Sequence, residues 1–314
     1  MESNNTSSTK LDVYQIVADR IIELLEQGTI PWKQPWKEAG IPMNVISRRP
    51  YRGINLWLLL TLGYEQNLFL TWDQLKKIGG SVKQGEHGHI VIYWKTKKKE
   101  ESQNVEVSEG ETKDKKKEAP LLRYYKVFNV SQCRDLTENL TETSPAKTFN
   151  SIQECESIIY TMPNCPAIKH KDQKAFYHLL YDYINMPKKE SFKSMETYYA
   201  TLFHELVHST GSEKRLNRAS ANDMAEFGSE FYSLEELIAE LGSAFLCFHT
   251  GISPLTIDDS AAYINGWLSK LKNDKKFIVQ ASGMAQKAAD FIMNIRDKNN
   301  SKSDVEQLGA SEKE

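Results

Sequence analysis

Apolar residues recur at helical spacing over several stretches of the chain. The stretch from Leu11 to Gln27 places its apolar side chains on one stripe, and Gly28 ends the pattern, which predicts an amphipathic helix. Similar patterns predict helices over 53–62 and 72–78 and, further on, over about 151–160, 194–210, 233–249, 260–272 and 276–296. The second half of the chain is therefore expected to be mostly helical.

Short runs rich in β-branched and aromatic residues predict strands. Leu68 to Thr71 is one such run, and the runs Val91 to Lys97 and Leu122 to Val130 are predicted to pair with each other. One or two further strands are expected near 166–184. The segment 30–44 holds three prolines and two tryptophans, which oppose a regular element and predict an aromatic loop.

Polar segments divide this pattern into two parts. Residues 97–118 form a run of charges with almost no apolar side chains, which predicts a solvated hairpin insert. The polar stretch 137–150 is the best linker, and residues 1–10 and 297–314 are expected to be disordered tails. The predicted fold class is α+β with two domains, a small mixed domain over 11–136 and a mostly helical domain with a small sheet over 151–296.

Composition excludes several classes of protein. The 314 residues are 40% hydrophobic and 26% charged, which excludes a membrane-spanning or wholly disordered chain and allows two domains, each with its own core. The N-terminus has no secretory signal pattern and no stretch reaches the ~18 apolar residues of a membrane helix, so the cytoplasm is the expected location, without a membrane partner. The four cysteines show no close spacing and are expected to be reduced.

The most specific motif is an HExxH sequence in the helix predicted over 194–210. His204 and His208 are about one helical turn apart, so both imidazoles leave the same face and can bind one Zn²⁺ ion, with Glu205 beside them. Such an ion polarises a peptide carbonyl, and the carboxylate takes a proton from the attacking water and passes it to the leaving amine. The motif therefore predicts a zinc-dependent peptidase with Glu205 as the catalytic general base.

A catalytic zinc site needs a third protein ligand. The metzincin pattern requires a third histidine where this chain has Lys214, so that option fails. Glu236 and Glu240, on the next predicted helix, fit the gluzincin arrangement, in which the first carboxylate binds the metal and the second orients a ligating imidazole from one layer further out. Glu235 and Glu240 are rival ligands. Ser233 to Glu236 also fits a capping box, in which Glu236 would only satisfy the helix N-terminus.

A tyrosine hydroxyl is a further candidate for the predicted peptidase site. Tyr263, in the helix predicted over 260–272, is a candidate catalytic residue that would donate a hydrogen bond to a developing oxyanion. A tyrosine in such apolar surroundings is more often part of the core, so both roles remain open.

The net charge of −2 hides an uneven distribution. Residues 10–99 carry 14 basic and 8 acidic side chains, a net charge of +6, whereas residues 147–314 carry 19 and 23, a net charge of −4. Five of the six tryptophans also lie before residue 100. Cations follow a phosphate backbone and aromatic rings stack on unpaired bases, so the first half fits a single-stranded nucleic acid, with core packing as the alternative for the tryptophans. The candidate DNA-binding residues are Arg48, Arg49, Tyr51, Arg52, Asn55, Trp57, Trp72, Lys83, Trp94 and Lys95.

Several segments, in this order, resemble one protein family. YRGINLWLLL, FLTWDQLKKIGG and YYKVFNVSQC are similar to the N-terminal domain of ArdC-type antirestriction proteins. The HExxH segment and FGSEFYSLEELIAELGSAFLC are similar to their C-terminal zincin-like metallopeptidase domain. The resemblance implies a single-stranded-DNA-binding domain joined to a metallopeptidase domain, carried by plasmids, phages and other mobile elements to protect incoming DNA from restriction. It also implies functional residues at His204, Glu205, His208 and Glu236.

The zincin fold that the resemblance implies has a small sheet over the active-site helix, with the strand around 181–184 as a candidate edge for an extended peptide. The leading hypothesis is an antirestriction protein that binds single-stranded DNA and cleaves an unidentified protein. Two alternatives remain open. One is a DNA-shielding protein with a structural or non-proteolytic zinc site, and the other is a peptidase whose first half docks a protein rather than DNA.

Overall fold

A computed structural model describes residues 12–33, 40–95, 121–137, 140, 150–218, 230–252 and 261–295. The predicted tails at 1–10 and 297–314, the charged insert at 97–118 and most of the predicted linker at 137–150 lie outside these residues. The described residues combine helices with three small sheets, so the predicted α+β class is confirmed.

The described part of the first half combines a four-stranded sheet with helices. Its strands β1 (Met43–Asn44), β2 (Leu68–Thr71), β4 (His89–Lys95) and β5 (Leu121–Asn129) lie in the order β1-β2-β5-β4. The first pair is parallel and the other two are antiparallel, which confirms the predicted pairing of β4 with β5. β3 (Ser81–Val82) and β6 (Cys133–Arg134) form a separate antiparallel pair. The helices are α1 (Val13–Glu26), α2 (Ile54–Leu60) and α3 (Trp72–Lys77).

The described part of the second half is mostly helical and includes a three-stranded sheet. Its helices are α4 (Ser151–Thr161), α5 (Met195–Ser209), α6 (Glu230–Thr250), α7 (Ala261–Asn273) and α8 (Phe277–Ile292). Its strands are β7 (Ala167–Lys169), β8 (Phe176–His178) and β9 (Tyr183–Asn185), one more than the upper estimate from the sequence. β9 pairs with β7 on one side and β8 on the other, so the prediction that 181–184 offers a free edge is wrong.

The largest hydrophobic core spans both halves. Trp57 of α2 is fully buried and stacks on Phe245 of α6, with ring centroids 4.8 Å apart, and Trp32 packs edge-on against Trp267 of α7 at 5.4 Å. The expectation of a separate core for each half is therefore wrong for this cluster, although two smaller clusters lie within the first half. The predicted loop over 30–44 is also partly wrong, because it contains a buried 3₁₀ turn (Pro31–Lys33) and β1.

The structure describes all four cysteines, which were predicted to be reduced. All four cysteines are free, and Cys133, Cys155 and Cys247 are buried, which agrees with reduced, packed side chains. Among the described helices, none combines the length and apolar character needed to cross a membrane.

Gly242 lets α5 and α6 approach closely. A Cβ atom at this position would lie 2.7 and 2.9 Å from the two methyl carbons of Val207, the residue before His208. We expect Gly242→Ala to lower the free energy of unfolding by about 1–3 kcal/mol, because the buried, β-branched Val207 has little freedom to move away. Gly283→Ala in α8 is the matched control, since nothing lies within 4 Å of its Cβ position. Urea unfolding of both variants measures the difference, and equal stability would contradict the close contact.

Candidate metal centre and nucleic-acid interface

Helix α5 carries the HExxH motif into the protein interior. Ser194 caps the helix, with its Oγ accepting a hydrogen bond from the Thr197 N–H at 3.2 Å. His204 and Glu205 are buried, with 7% and 8% of their surface exposed, and His208 is half-buried. The motif therefore occupies an internal face of the helix rather than a solvated one.

Three side chains converge on one point. The Nε2 atoms of His204 and His208 lie 3.1 Å apart, and the carboxylate oxygens of Glu236 lie 3.6 Å from His204 Nε2 and 3.5 Å from His208 Nε2. Because α6 begins at Glu230, both Ser233 and Glu236 are inside the helix, and the capping-box interpretation of Glu236 is wrong. Glu236 instead faces both imidazoles from the neighbouring helix.

The three converging residues fit a divalent metal ion. Their donor atoms all lie within 4.8 Å of one another. Ligands about 2.0–2.2 Å from one tetrahedral ion lie roughly 3.4 Å from each other, which is close to the three separations between these side chains. Two imidazoles and one carboxylate are also a ligand set of catalytic zinc sites, in which the fourth position is open to substrate.

A second carboxylate lies behind His208. Glu235 Oε1 is 3.7 Å from His208 Nδ1, and Arg218 donates hydrogen bonds to both Glu235 oxygens, at 2.7 and 3.3 Å. Arg218 also donates to Thr210 Oγ1 at 2.7 Å and to the Val207 carbonyl at 3.0 Å. The guanidinium thus connects Glu235 to the segment that carries His208.

Negative charge dominates this centre. Burial by itself would lower the pKa of His208, but the neighbouring Glu235 carboxylate and the charges of Glu236 and Glu205 raise it to about 9. Burial likewise opposes ionisation of Glu235, yet His208 and Arg218 together lower the pKa of the Glu235 carboxyl. Three carboxylates around two imidazoles favour a bound cation, and a divalent metal ion would compete there with protons.

The remaining residues predicted for the metal site are Glu240 and Tyr263. Glu240 is half-buried further along α6, but His208 Nδ1 faces Glu235, and His204 Nδ1 has no hydrogen-bond partner among the described residues. The structure therefore places Glu235, and not Glu240, next to an imidazole of the HExxH motif. Tyr263 belongs to the first turn of α7, and its side chain lies outside the described residues.

Several predicted DNA-binding residues lie on the surface of the first half. Trp72 and Trp94 are 44% and 47% exposed. The Lys76 ammonium lies 5.3 Å from the Trp72 ring centroid, and Trp94 contacts Tyr14 edge-on with ring centroids 6.3 Å apart. The predicted cations Arg48, Arg49 and Lys83 are also exposed. These side chains present aromatic rings and positive charge to solvent, although Arg48 and Lys83 also donate hydrogen bonds to the Leu140 and Ser131 carbonyls.

Two predicted contact residues are part of hydrophobic cores. Trp57 is fully buried against Phe245, so its assignment as a base-stacking residue is wrong, because a base could reach it only if the core opened. Tyr51 is 9% exposed and packs edge-on against Phe69, and burial raises its pKa to about 12. Its assignment as a DNA contact is wrong for the same reason.

Two further predicted contact residues are bound to other parts of the protein. The Asn55 amide accepts a hydrogen bond from the Ile92 N–H at 2.8 Å and donates one to the Ile92 carbonyl at 2.7 Å. The Asn55 amide is therefore engaged with the backbone of β4, and its role as a DNA contact stays a prediction. Arg52 is 45% exposed, but its guanidinium forms an ion pair with Asp290 of α8, which balances its charge. Lys95 ends β4, and its side chain lies outside the described residues.

The sequence prediction did not include Arg218, which holds Glu235 at the metal centre, or the exposed ring of Tyr124. Arg218 lies in the non-helical segment that follows α5. Without a helical repeat, the sequence does not indicate that its side chain turns back toward α5 and α6. Tyr124 of β5 is 37% exposed and shares a face of the sheet with Trp94, because Trp94 is opposite Leu122 and side chains alternate along a strand. The alternation of side chains along the predicted strand would have indicated that Tyr124 lies on the same sheet face as Trp94.

Two protein families match consecutive parts of the chain. Residues 11–128 match the N-terminal domain of the anti-restriction factor ArdC, and residues 156–284 match a zincin-like metallopeptidase family. The two matches support a two-domain architecture, with the HExxH helix and Glu236 inside the second match.

Relatives extend over nearly the whole chain. An uncharacterized protein, y4eC, of Sinorhizobium fredii (strain NBRC 101917 / NGR234) is 31% identical over 308 residues, which cover 93% of this chain and 95% of y4eC. Two proteins of Escherichia coli, each named DNA primase TraC, are 32% identical over 305 residues. These residues are only 20% and 28% of the two TraC proteins, so the likeness concerns a part of them.

Solved structures of one antirestriction protein share the fold. The Mn(II)-bound structure of the antirestriction ArdC protein from the R388 plasmid has a TM-score of 0.71 and 35% identity, and the match covers 90% of this chain and 98% of that protein. Its metal-free structure gives the same TM-score with 34% identity. With both domain types in the same order and almost complete coverage, the chain belongs to the ArdC family of antirestriction proteins.

Proposed function

We propose that this protein binds single-stranded DNA through a domain at 11–136 and cleaves a protein through a metal-dependent peptidase domain at 151–296. The convergence of His204, His208 and Glu236, beside the buried Glu205, is the observation that carries the peptidase part. An ArdC structure with Mn(II) supports a divalent metal, and we infer one Zn²⁺ ion because the ligand set suits zinc. The protein would act in the cytoplasm of the bacterial host of a mobile element.

Each residue of the metal centre has a proposed role. A divalent ion there supplies Lewis-acid chemistry, which polarises a carbonyl and makes water more acidic. Glu205 takes a proton from the attacking water and delivers it to the leaving amine. Glu235, held by Arg218, orients His208 through its Nδ1 atom, so that Nε2 points toward Glu236. Tyr263 is kept as a candidate donor to the developing oxyanion.

Metal-dependent cleavage of peptides tests the peptidase proposal. The full-length protein is stripped of metal with a chelator, reloaded with Zn²⁺ or Mn²⁺, and incubated with a peptide library from a bacterial proteome. Mass spectrometry then identifies the new peptide termini. We expect cleavage by the reloaded protein and none by the stripped protein. Equal cleavage by both, or none by either, would overturn the proposal.

Exposed rings and positive charge support the DNA-binding part. Trp72 and Trp94 are the exposed tryptophans of the described first half, and residues 10–99 carry a net charge of +6. Rings can stack on unpaired bases, and lysines and arginines can neutralise phosphates. Because neutralised phosphates release counterions, the affinity for DNA should fall steeply as the salt concentration rises.

Trp94→Ala is expected to weaken binding of oligothymidylate at least about fivefold, because a stacked base contributes about 1–3 kcal/mol. Fluorescence anisotropy measures the affinity on the full-length chain, since the first half shares its largest core with the second. Tyr160→Ala is the matched control, because Tyr160 of α4 is a 91% exposed aromatic residue outside the first half. Unchanged affinity in both Trp94→Ala and Trp72→Ala, or binding insensitive to salt, would contradict the assignment.

A further inference from the structure

The outer face of the three-stranded sheet carries a row of aromatic rings. Tyr183 of β9 pairs with His178 of β8, and their rings are nearly parallel, at 18°, with centroids 5.3 Å apart. The Tyr181 ring follows, 4.7 Å from that of His178, and the Lys169 ammonium lies 4.1 Å from the Tyr183 centroid. Tyr181 is 76% exposed, so the row opens to solvent at this ring.

The inner face of the same sheet packs against the peptidase core. Ile184 is fully buried, and Ile168 and Tyr177 pack on the largest hydrophobic cluster, which also contains the apolar residues of the HExxH helix. Neighbouring residues along a strand point to opposite faces, so Tyr183 and His178 point away from that cluster. The aromatic row is therefore not part of the packing that positions the metal centre.

A basic loop borders the aromatic row. Buried Asn185 accepts hydrogen bonds from the Lys171 and Asp172 N–H groups at 3.0 and 3.3 Å. Its amide also donates to the Asp172 and Lys174 carbonyls at 3.1 and 2.6 Å. These four bonds fix the connection between β7 and β8, on which Lys171 and Lys174 are exposed. Residues 169–174 include three lysines and one aspartate, a net charge of +2.

The acidic residue within the row is already paired. Asp182, between Tyr181 and Tyr183, accepts hydrogen bonds from Arg215, Lys214 and Tyr177. Burial would raise its pKa, but these contacts lower it to about 2. Its negative charge is balanced within the protein and would not repel an approaching phosphate.

We propose that this outer face is a second binding surface for single-stranded nucleic acid, with the Tyr181 ring stacking on a base and Lys169 and Lys171 contacting phosphates. Rings and lysines interleaved on one sheet face suit an unpaired strand, whose bases stack and whose phosphates pair with cations. The inference rests on the proposed DNA binding and extends it to the half that carries the metal centre. One strand held at both surfaces would keep the peptidase site close to the bound DNA.

Photo-crosslinking and affinity measurements on the full-length protein test this inference. A single-stranded oligonucleotide that contains 5-iodouracil is irradiated with the protein, and crosslinked peptides are mapped by mass spectrometry. We expect crosslinks within 176–183 as well as in the first half. Tyr181→Ala is expected to weaken binding at least about fivefold, whereas the exposed control Tyr160→Ala leaves the affinity unchanged.

The possible outcomes separate this inference from the proposed function. If Trp94→Ala weakens binding, Tyr181→Ala does not, and no crosslink falls within 176–183, the second surface is overturned and the proposed function stands. If Tyr181→Ala changes only the KM for peptide cleavage, the face binds peptide and the inference is also overturned. A wild-type protein that binds no single-stranded DNA overturns both.

Discussion

Replacement of Glu205 by glutamine is expected to reduce peptide cleavage at least about 100-fold while the protein retains its metal ion. Glutamine has nearly the same shape as glutamate but cannot accept a proton from the attacking water. Metal content should not change, because Glu205 is not one of the three residues whose donor atoms converge. Peptide-library cleavage and metal content, measured by mass spectrometry on the same preparation, check the two parts of this expectation.

Glu240→Gln is the matched control for this variant. Glu240 is another carboxylate of the same helix pair, but His208 Nδ1 faces Glu235 and His204 Nδ1 has no hydrogen-bond partner among the described residues. We therefore expect Glu240→Gln to retain most of the cleavage activity. Undiminished cleavage by Glu205→Gln would exclude Glu205 as the general base, and an equal loss in both variants would indicate a general effect of charge.

The Glu205→Gln variant also separates peptide cleavage from DNA shielding in antirestriction. Transfer of an unmodified plasmid into a restricting host measures protection in cells that produce either the wild type or the variant. If cleavage is required, the variant loses protection although its affinity for single-stranded DNA is unchanged. Full protection by the variant would instead favour a protein that shields DNA by occupying it.

Long periodic patterns were sufficient to predict the helices of the second half. The helix predicted over 194–210 is α5, which runs from Met195 to Ser209, and the one predicted over 276–296 is α8, which ends at Ile292. Each helix has an apolar stripe that repeats over three or more turns, and the stripe both predicts a helix and packs against the core. Local periodicity and tertiary packing therefore favour the same helix. The HExxH geometry was equally predictable, because residues four apart share a helix face without any help from the rest of the fold.

The roles of the acidic residues on α6 depend on tertiary structure. Glu235 and Glu236 are adjacent and therefore point in different directions, but the sequence does not say which of them faces the imidazoles. That choice is made by the crossing of α5 and α6, where Gly242 packs on Val207. Arg218, which holds Glu235, reaches this crossing from a non-helical segment that has no periodic signal.

Burial decided which tryptophans remain candidates for DNA contact. Trp57 and Trp94 have similar surroundings in the sequence, both in apolar runs near basic residues. Trp57 is buried because α2 packs against helices of the second half, where Phe245 covers its ring. Trp57 and Phe245 are far apart along the chain, so their contact leaves no local sequence pattern. Composition could therefore identify the half that is rich in basic and aromatic residues, but not which of those residues are exposed.

Glu236→Ala is expected to weaken binding of Zn²⁺ or Mn²⁺ by more than the about 10- to 100-fold that loss of an outer partner of a metal ligand costs. Glu236 faces both imidazole Nε2 atoms, at 3.6 and 3.5 Å, so its removal takes away one of three ligands. The loss of metal affinity in Glu235→Ala should stay within that range of about 10- to 100-fold. Glu235 contacts the centre through His208 Nδ1, at 3.7 Å, and its removal leaves all three converging donors in place.

Isothermal titration of chelator-treated variants with each metal ion measures this ranking, and urea unfolding of the same samples separates lost affinity from lost stability. The Glu235→Ala variant leaves the Arg218 guanidinium without its carboxylate partner, so some destabilisation is expected in that variant. Glu235→Gln retains a hydrogen-bond acceptor for His208 and should bind metal more tightly than Glu235→Ala. If Glu235→Ala instead lost more affinity than Glu236→Ala at equal stability, the ligand role would pass to Glu235, and the side chains of α6 would have to be rotated about the helix axis from the arrangement described.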